Sequence, residues 1–271
     1  MPEALPPLLL SGDSPPVEIV NTGGAASFLL TGDHAGNAVP SALATLGVDA
    51  ADIARHIGWD IGVDVLGRCL AVRLDAAFVR QHYSRLVIDC NRDPANPDAM
   101  PAFSDGTRIP GNANVMAAAR HQRVAEIHAP YHAAIAAALA QRGPETVLVA
   151  LHSFTPVLGT SVRPWHIGVL HDGGNDGFAR RLLAWLHAHA RMNIGDNAPY
   201  RMDNTDHSVP RHAFAAERPY VELEVRQDLL ANADSIDAIA GLLAAGLQAS
   251  LANAAVQPND AAMAPTVRLQ P

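Results

Sequence analysis

Residues 146–151 read TVLVAL, an uninterrupted apolar run that is the clearest buried strand in the sequence and is followed directly by His152. Shorter apolar runs predict further strands at residues 26–31, 77–79, 86–90, 165–170 and 220–225. Helical spacing of apolar side chains predicts helices at residues 50–72, 112–141, 176–191 and 235–254. Strands and helices alternate along the chain, so the predicted fold class is α/β, a three-layer sandwich around a central mixed, mostly parallel sheet.

The length of the chain suits a single domain. With 271 residues it can bury a large core, and we assign residues 1–255 to one domain. Residues 256–271 are predicted to form a flexible tail. The two cysteines, Cys69 and Cys90, lie in apolar surroundings and are predicted to be free thiols, which fits a reducing compartment.

Charge and hydropathy exclude two classes of partner. The net charge is −8, all 19 basic residues are arginine, and no basic run is present, so a nucleic-acid-binding surface is not expected. No apolar stretch reaches the roughly 18 residues that a membrane span needs, and the first 16 residues lack the positive start of a signal peptide. The sequence is therefore interpreted as a cytoplasmic protein that binds neither nucleic acid nor membrane.

Two histidines follow predicted strands. His34 comes after the strand at residues 26–31, and His152 comes after TVLVAL. Ligands bind beyond the carboxyl ends of strands in open α/β sheets, so the fold can bring both imidazoles to one edge. A catalytic zinc ion needs a third protein ligand. Asp60, a carboxylate in a mostly apolar segment, is the preferred one, with His56 and Asp64 as rivals on the same predicted helical face.

Charged side chains near other strands supply the remaining chemistry. Glu222 and Glu224 alternate on the strand at residues 220–225, so both face the same side, and either could act as a general base. Arg85, Asn91 and Arg92 flank the predicted strand at residues 86–90. Arginine there can form a bidentate pair with a substrate carboxylate.

The order of these motifs resembles the N-formylglutamate amidohydrolase family, which is similar in its phosphorylase/hydrolase-like fold to zinc carboxypeptidases and aspartoacylases. The resemblance is carried by six segments between about residues 28 and 230: Asp33-His34-Ala35-Gly36-Asn37 with Pro40, Gly58-Trp59-Asp60-Ile61-Gly62, Ser84-Arg85-Leu86-Val87-Ile88-Asp89-Cys90-Asn91-Arg92, Leu151-His152-Ser153-Phe154-Thr155-Pro156, Asn197-Ala198-Pro199-Tyr200 and Glu222-Leu223-Glu224-Val225-Arg226-Gln227-Asp228. The pattern of zinc carboxypeptidases has a glutamate three residues after its first histidine. Asn37 stands there in this chain.

The resemblance implies a metal-dependent hydrolase that cleaves the amide bond of an N-formyl or other N-acyl amino acid. It implies one zinc ion held by His34, His152 and Asp60, with Glu224 as the base. It also implies that Asn91 and Arg92 bind the carboxylate of an acidic substrate.

Two other functions use the same residues. One is a metallo-carboxypeptidase or peptidoglycan amidase, which would differ only in its substrate pocket. The other is a non-catalytic protein that binds small acidic metabolites. A serine hydrolase is not supported, because the sequence has no Gly-x-Ser-x-Gly motif.

Overall fold

The computed structural model describes residues 5–255 as an α/β sandwich built on a seven-stranded sheet. The strands are β1 (Val17–Val20), β2 (Phe28–Gly32), β3 (Ala77–Gln81), β4 (Phe103–Ser104), β5 (Thr107–Arg108), β6 (Val147–Phe154), β7 (Val157–Leu158), β8 (Ser161–Val162), β9 (Ile167–Leu170), β10 (Ile194–Asp196) and β11 (Tyr220–Arg226). The α-helices are α1 (Ala50–Ile53), α2 (Val63–Leu74), α3 (Ala117–Arg123), α4 (Ala129–Ala140), α5 (Gly177–His189) and α6 (Ala233–Ala255).

The main sheet has the strand order β1-β3-β2-β6-β11-β9-β10. Its four central strands, β3, β2, β6 and β11, run parallel to one another. β1 is antiparallel to β3, and β9 is antiparallel to β11. The predicted mixed, mostly parallel sheet is confirmed, and the carboxyl ends of β2, β6 and β11 lie along one edge.

Apolar side chains fill both faces of this sheet. On one face Leu30, Val149 and Leu223 pack against α2, α5 and α6 in the larger core cluster. On the other face Leu29 and Leu148 pack against α4 in a second cluster. Helices therefore cover the sheet on both sides, as a three-layer sandwich requires.

The predicted strand at residues 86–90 is wrong. This segment is a buried loop whose apolar side chains, including Leu86 and Ile88, pack in a third cluster beside the sheet. Its backbone is satisfied by side chains, because Asn112 Nδ2 donates to the carbonyl of Leu86 and Arg123 Nη1 donates to that of Val87. The apolar pattern reports burial here, and it does not distinguish a strand from an enclosed loop.

The predicted helix at residues 50–72 is also wrong in its middle. Helix α1 ends at Ile53 and α2 begins at Val63, and two glycines enforce the interruption. A Cβ atom at Gly58 would lie 2.0 Å from the carbonyl oxygen of Ile53, and Gly62 has a φ of +86°. Apolar residues continue across this turn because the turn is buried in the protein. Their spacing resembles that of a helix, but the backbone is not helical.

The predicted helix at residues 112–141 begins later, at Ala117, and its winding changes before Pro130. A single π-helical turn at Val124–His128 separates α3 from α4, and Pro130 lies in the first turn of α4. Proline lacks an amide hydrogen and crowds the carbonyl four residues earlier, so the wider turn accommodates it. Within residues 5–255 both cysteines are free thiols, as predicted, with Cys90 buried and Cys69 half-buried.

Helix α6 is apolar and long enough over Ala233–Ala252 to suit a membrane span by length and composition alone. Its buried residues Ile239, Leu243 and Leu247 pack in the larger core cluster. These contacts are those of a core helix in a globular domain. The tail predicted at residues 256–271 lies outside the described residues.

Candidate metal centre and active site

The site lies at the carboxyl ends of three neighbouring parallel strands. His34 follows β2, while His152 is on β6 directly opposite Glu224 of β11. The loop after β2 turns back tightly at Gly36, where a Cβ atom would lie 2.0 Å from the carbonyl oxygen of His82. This close approach explains the glycine two residues after His34.

The structure brings His34, Asp60 and His152 together, and all three side chains are buried. Oδ2 of Asp60 lies 3.3 Å from Nδ1 of His34 and 3.0 Å from Nδ1 of His152. Two ligands of a tetrahedral zinc ion are separated by about 3.3 Å, given bonds of about 2.0 Å. The three donor atoms therefore have the spacing and chemistry that a divalent transition ion requires.

The second nitrogen of each imidazole faces another carboxylate. Asp89 Oδ1 lies 2.7 Å from Nε2 of His34, and Asp33 Oδ2 lies 3.6 Å from Nε2 of His152. In metal sites such a carboxylate fixes the ring orientation and leaves the other nitrogen free for the ion. Both histidines would thus bind through Nδ1, the atom that faces Asp60.

The charges in this cluster reinforce one another. Burial alone would lower the pKa of His34, and Arg85 acts in the same direction, but Asp89 and Asp60 together raise it above the ordinary value. Burial alone would raise the pKa of Asp60, but His34 and His152 hold it below the ordinary value. The buried carboxylate is therefore ionised, as a metal ligand must be.

Asp60 reaches the cluster from the turn between α1 and α2. Its amide nitrogen donates to the carbonyl of His34, at 2.9 Å, which ties the turn to the loop after β2. The rival ligands point elsewhere, because His56 lies beside Asp105 and Asp64 pairs with arginines. Asn37 does not line the cavity at the site.

The two glutamates of β11 share a face, as the alternation predicts, but their surroundings differ. Glu222 Oε1 lies 3.9 Å from Nε2 of His152, on the side of the ring away from Asp60. Glu224 is opposite His152 in the strand register, lines the cavity, and its Oε2 atom is buried without a hydrogen-bond partner among the described residues. Burial raises the pKa of both carboxyl groups. Glu222 also lines the cavity and has an unpaired Oε2 atom among the described residues, so these features suit either glutamate as the general base.

The three residues expected to bind substrate occupy different positions. Arg85 donates from Nη2 to Asp89 at 2.7 Å and lies 3.4 Å from Asp60, so its guanidinium holds carboxylates of the metal cluster. Asn91 is buried, and its Oδ1 accepts hydrogen bonds from the amides of residues 207 and 208. Arg92 lines the cavity, where its Nη1 donates to the carbonyls of Asn91 and Thr205.

Several residues of the site have no role in the sequence analysis. Asp33 and Asp89 stand behind the histidines, and both lie inside the segments already quoted. They could have been sought in the sequence, because each metal-binding imidazole needs a carboxylate or carbonyl to orient it. Tyr200 and Arg201 also line the cavity, from an irregular segment whose position depends on the whole fold.

These features agree with comparisons against known proteins. The model of the N-formylglutamate amidohydrolase family matches residues 26–231. The crystal structure of gene product Atu2144 from Agrobacterium tumefaciens is 32% identical, with a TM-score of 0.88, and the match covers 92% of this chain and 99% of that one. N-formylglutamate amidohydrolase from Ralstonia eutropha JMP134 is 18% identical, with a TM-score of 0.62 and coverage of 89% and 98%, and shows the same fold. No curated protein matches the chain. The chain belongs to the N-formylglutamate amidohydrolase family.

Proposed function

We propose that this amidohydrolase cleaves the amide bond of an acidic N-acyl amino acid, such as N-formylglutamate, with one divalent metal ion, zinc in the first instance. The observation that carries the proposal is the buried cluster of His34, Asp60 and His152 beside Glu224, whose Oε2 atom has no hydrogen-bond partner among the described residues. A zinc ion there would polarise the substrate carbonyl and make water a stronger acid. The two free cysteines support a reducing, cytoplasmic location.

The protein's own residues account for the proton transfers. The Glu224 carboxylate takes a proton from the attacking water as the oxygen bonds to the amide carbon. The same group then gives this proton to the amide nitrogen as the carbon–nitrogen bond breaks, which releases a free amine and a carboxylic acid that loses its own proton to water. Ionised Glu224 is required for the first step, and a cation beside it favours that form by lowering its pKa.

The cavity supports a small anionic substrate. Its volume of about 400 Å³ is at the lower end for small-molecule sites, and polar side chains dominate its walls. Arg92 and Arg201 line it on the side formed by residues 199–206. We assign Arg92 to the substrate carboxylate, because its hydrogen bonds to two backbone carbonyls orient the guanidinium at the wall.

The first test is the variant Glu224→Gln. It preserves the shape of the side chain but cannot accept the proton, so kcat for amide hydrolysis should fall by about 10²- to 10⁴-fold. Zinc content measured by mass spectrometry should stay at the wild-type value, since Glu224 is not one of the three ligands. Glu145→Gln, at an exposed position before β6, is the matched control and should keep full activity. Full activity of Glu224→Gln would remove this residue from the mechanism.

A substrate panel tests the specificity. Formyl-, acetyl- and peptidyl-glutamate, with the corresponding alanine compounds, are compared by the release of free amine. Preference for a short acyl group on an acidic amino acid supports the proposal. Preference for the peptidyl compounds would favour a carboxypeptidase or peptidoglycan amidase, and binding without turnover would favour a metabolite-binding protein.

A further inference from the structure

A second group of histidines lies outside the catalytic cluster. The group consists of His128 at the end of the π-helical turn, His132 on α4, and His207 in the loop before a further π-helical turn at Pro210–Phe214. Their ligand atoms all lie within 4.8 Å of one another. Their ring centroids are 4.4 to 5.4 Å apart. His128 and His132 are buried and His207 is half-buried. Three imidazoles at this spacing are a typical ligand set for zinc, nickel or copper.

Backbone carbonyls determine which nitrogen of two rings is free. Nε2 of His132 lies 2.9 Å from the carbonyl oxygen of Cys90, and Nε2 of His128 lies 3.1 Å from that of Arg92. A carbonyl oxygen only accepts hydrogen bonds, so each Nε2 carries the hydrogen. The Nδ1 atom of each neutral ring therefore carries the lone pair, which on His132 accepts a hydrogen bond from His212. This is the arrangement in which an outer carbonyl prepares a histidine for a metal ion.

The third imidazole has a buried nitrogen without a partner. Nε2 of His207 is enclosed and makes no hydrogen bond to any described residue. Leaving a buried polar atom unpaired is costly, and coordination of a cation would remove that cost. The amide nitrogen of His207 donates to Oδ1 of Asn91, which holds the residue beside the other two rings.

The surroundings of all three rings favour the neutral form, which ligands require. Burial, with contributions from His128 and His212, lowers the pKa of His132 to about 2. Burial also lowers the pKa of His128 and of His207, the latter with a contribution from Arg211. Nε2 of His212 lies 2.9 Å from Nδ1 of His132 and donates its hydrogen to that atom. An incoming ion would displace this hydrogen bond and bind the lone pair of Nδ1.

We propose that His128, His132 and His207 form a second, structural site for a divalent transition-metal ion such as Zn²⁺. The ion would join α4 and the π-helical turn to the loop that carries Thr205 and Asp206, which line the substrate cavity. It would thereby hold one wall of that cavity in place. None of its three proposed ligands belongs to the catalytic cluster, so binding at the two sites can be measured separately.

The test is the number of zinc ions bound by untagged, chelator-treated protein, measured by titration calorimetry with ZnCl₂ and by mass spectrometry after dialysis. Wild type should bind two equivalents. His207→Ala should bind one equivalent, because the variant removes one of the three ligands. The zinc bound at the second site should fall by at least 90%. Exposed His187→Ala on α5 is the matched control and should bind two.

A second variant separates this proposal from the proposed function. His34→Ala should also bind one equivalent, held at the second site, and the double variant His34→Ala/His207→Ala should bind none. Circular dichroism in EDTA shows that each variant is folded. The second site would be overturned if His207→Ala bound two equivalents of zinc. It would also be overturned if wild type bound one equivalent and His34→Ala bound none. Two equivalents in His34→Ala would instead count against the catalytic site alone.

Discussion

At the scale of single residues, the orientation of His34 depends on Asp89. Oδ1 of Asp89 contacts Nε2 of His34, while Oδ2 accepts hydrogen bonds from Arg85 at 2.7 and 3.1 Å. The carboxylate is thus shared between a ligand and an arginine that also lies beside Asp60. Its charge raises the basicity of the imidazole and keeps Nδ1 free for the ion.

We expect Asp89→Asn to weaken zinc binding at the catalytic site by about 10- to 100-fold, because the amide keeps the size of the carboxylate but not its charge. The measurement is zinc titration in the His207→Ala background, where only this site contributes. Asp196→Asn is the control, since Asp196 pairs with His171 at 2.8 Å outside the cluster. An unchanged dissociation constant for Asp89→Asn would show that Asp89 does not tune His34.

The sequence allowed part of this site to be predicted. His34 and His152 were found from the apolar runs that precede them and Asp60 from its apolar surroundings, while the resemblance to a family selected Glu224 rather than Glu222. Asp33 and Asp89 could not be identified in the same way. Their roles depend on which nitrogen of each imidazole faces the ion, and the sequence does not show this. Arg85 shows the limit, since the prediction of a strand at residues 86–90 gave no indication that its guanidinium pairs with Asp60 and Asp89.

At the scale of elements, the turn between α1 and α2 positions Asp60. Gly58 packs against the carbonyl of Ile53, and its own carbonyl accepts hydrogen bonds from Ser84 Oγ and the amide of Arg85. The turn is therefore joined on one side to α1 and on the other to the loop that carries Asp89. Any change in its backbone moves a ligand and its supporting residues together.

Gly58→Ala should lower the free energy of unfolding by about 1–3 kcal/mol and weaken zinc binding, because the added methyl group overlaps backbone atoms. Urea unfolding monitored by circular dichroism, with zinc titration, measures both effects. The control is Gly241→Ala on α6, where a Cβ atom meets nothing within 4 Å. This control should raise the free energy of unfolding by up to about 1 kcal/mol. Equal stability of the two variants would contradict the tight packing of the turn.

The elements that were predicted correctly are those in which buried side chains recur at the regular spacing of a strand or of a helix. β6 is an apolar run, β11 alternates with period two, and α5 and α6 have long apolar stripes. The failures at residues 50–72 and 86–90 share a cause, since both segments are enclosed by a third apolar cluster beside the sheet. There the side chains are buried, but glycines and side-chain hydrogen bonds determine the backbone conformation.

At the scale of the whole molecule, the buried histidines make stability depend on pH. Burial lowers the pKa of His212 to about 4, and Arg211 contributes in the same direction, whereas histidine in an unfolded chain titrates near 6.5. Between these values the unfolded chain binds a proton that the folded chain excludes. Stability from this group is thus complete above pH 6.5 and is lost as the pH falls towards 4.

We expect the free energy of unfolding of His212→Asn, measured in EDTA, to fall by about 1 kcal/mol less than that of wild type between pH 7.5 and pH 5.5. The asparagine side chain carries no proton in either state, so this part of the pH dependence disappears. His187→Asn, at an exposed position on α5, should follow the wild-type curve. Parallel curves for wild type and His212→Asn would show that His212 is protonated equally in both states.

The catalytic cluster joins segments that are distant in sequence, so metal and folding should be coupled. His34, Asp60 and His152 come from the loop after β2, the turn before α2 and strand β6, and the unfolded chain does not hold them together. An ion that binds only the folded state stabilises it by about 4 kcal/mol at a free concentration of 1,000 times its dissociation constant.

In the His207→Ala background, EDTA should lower Tm by about 10 °C, since 1 kcal/mol corresponds to roughly 2–4 °C at this size. Adding His34→Ala should remove this response to EDTA, while His187→Ala should leave it intact. A Tm that is the same with and without EDTA in the His207→Ala protein would contradict the metal site on which the proposed hydrolysis depends.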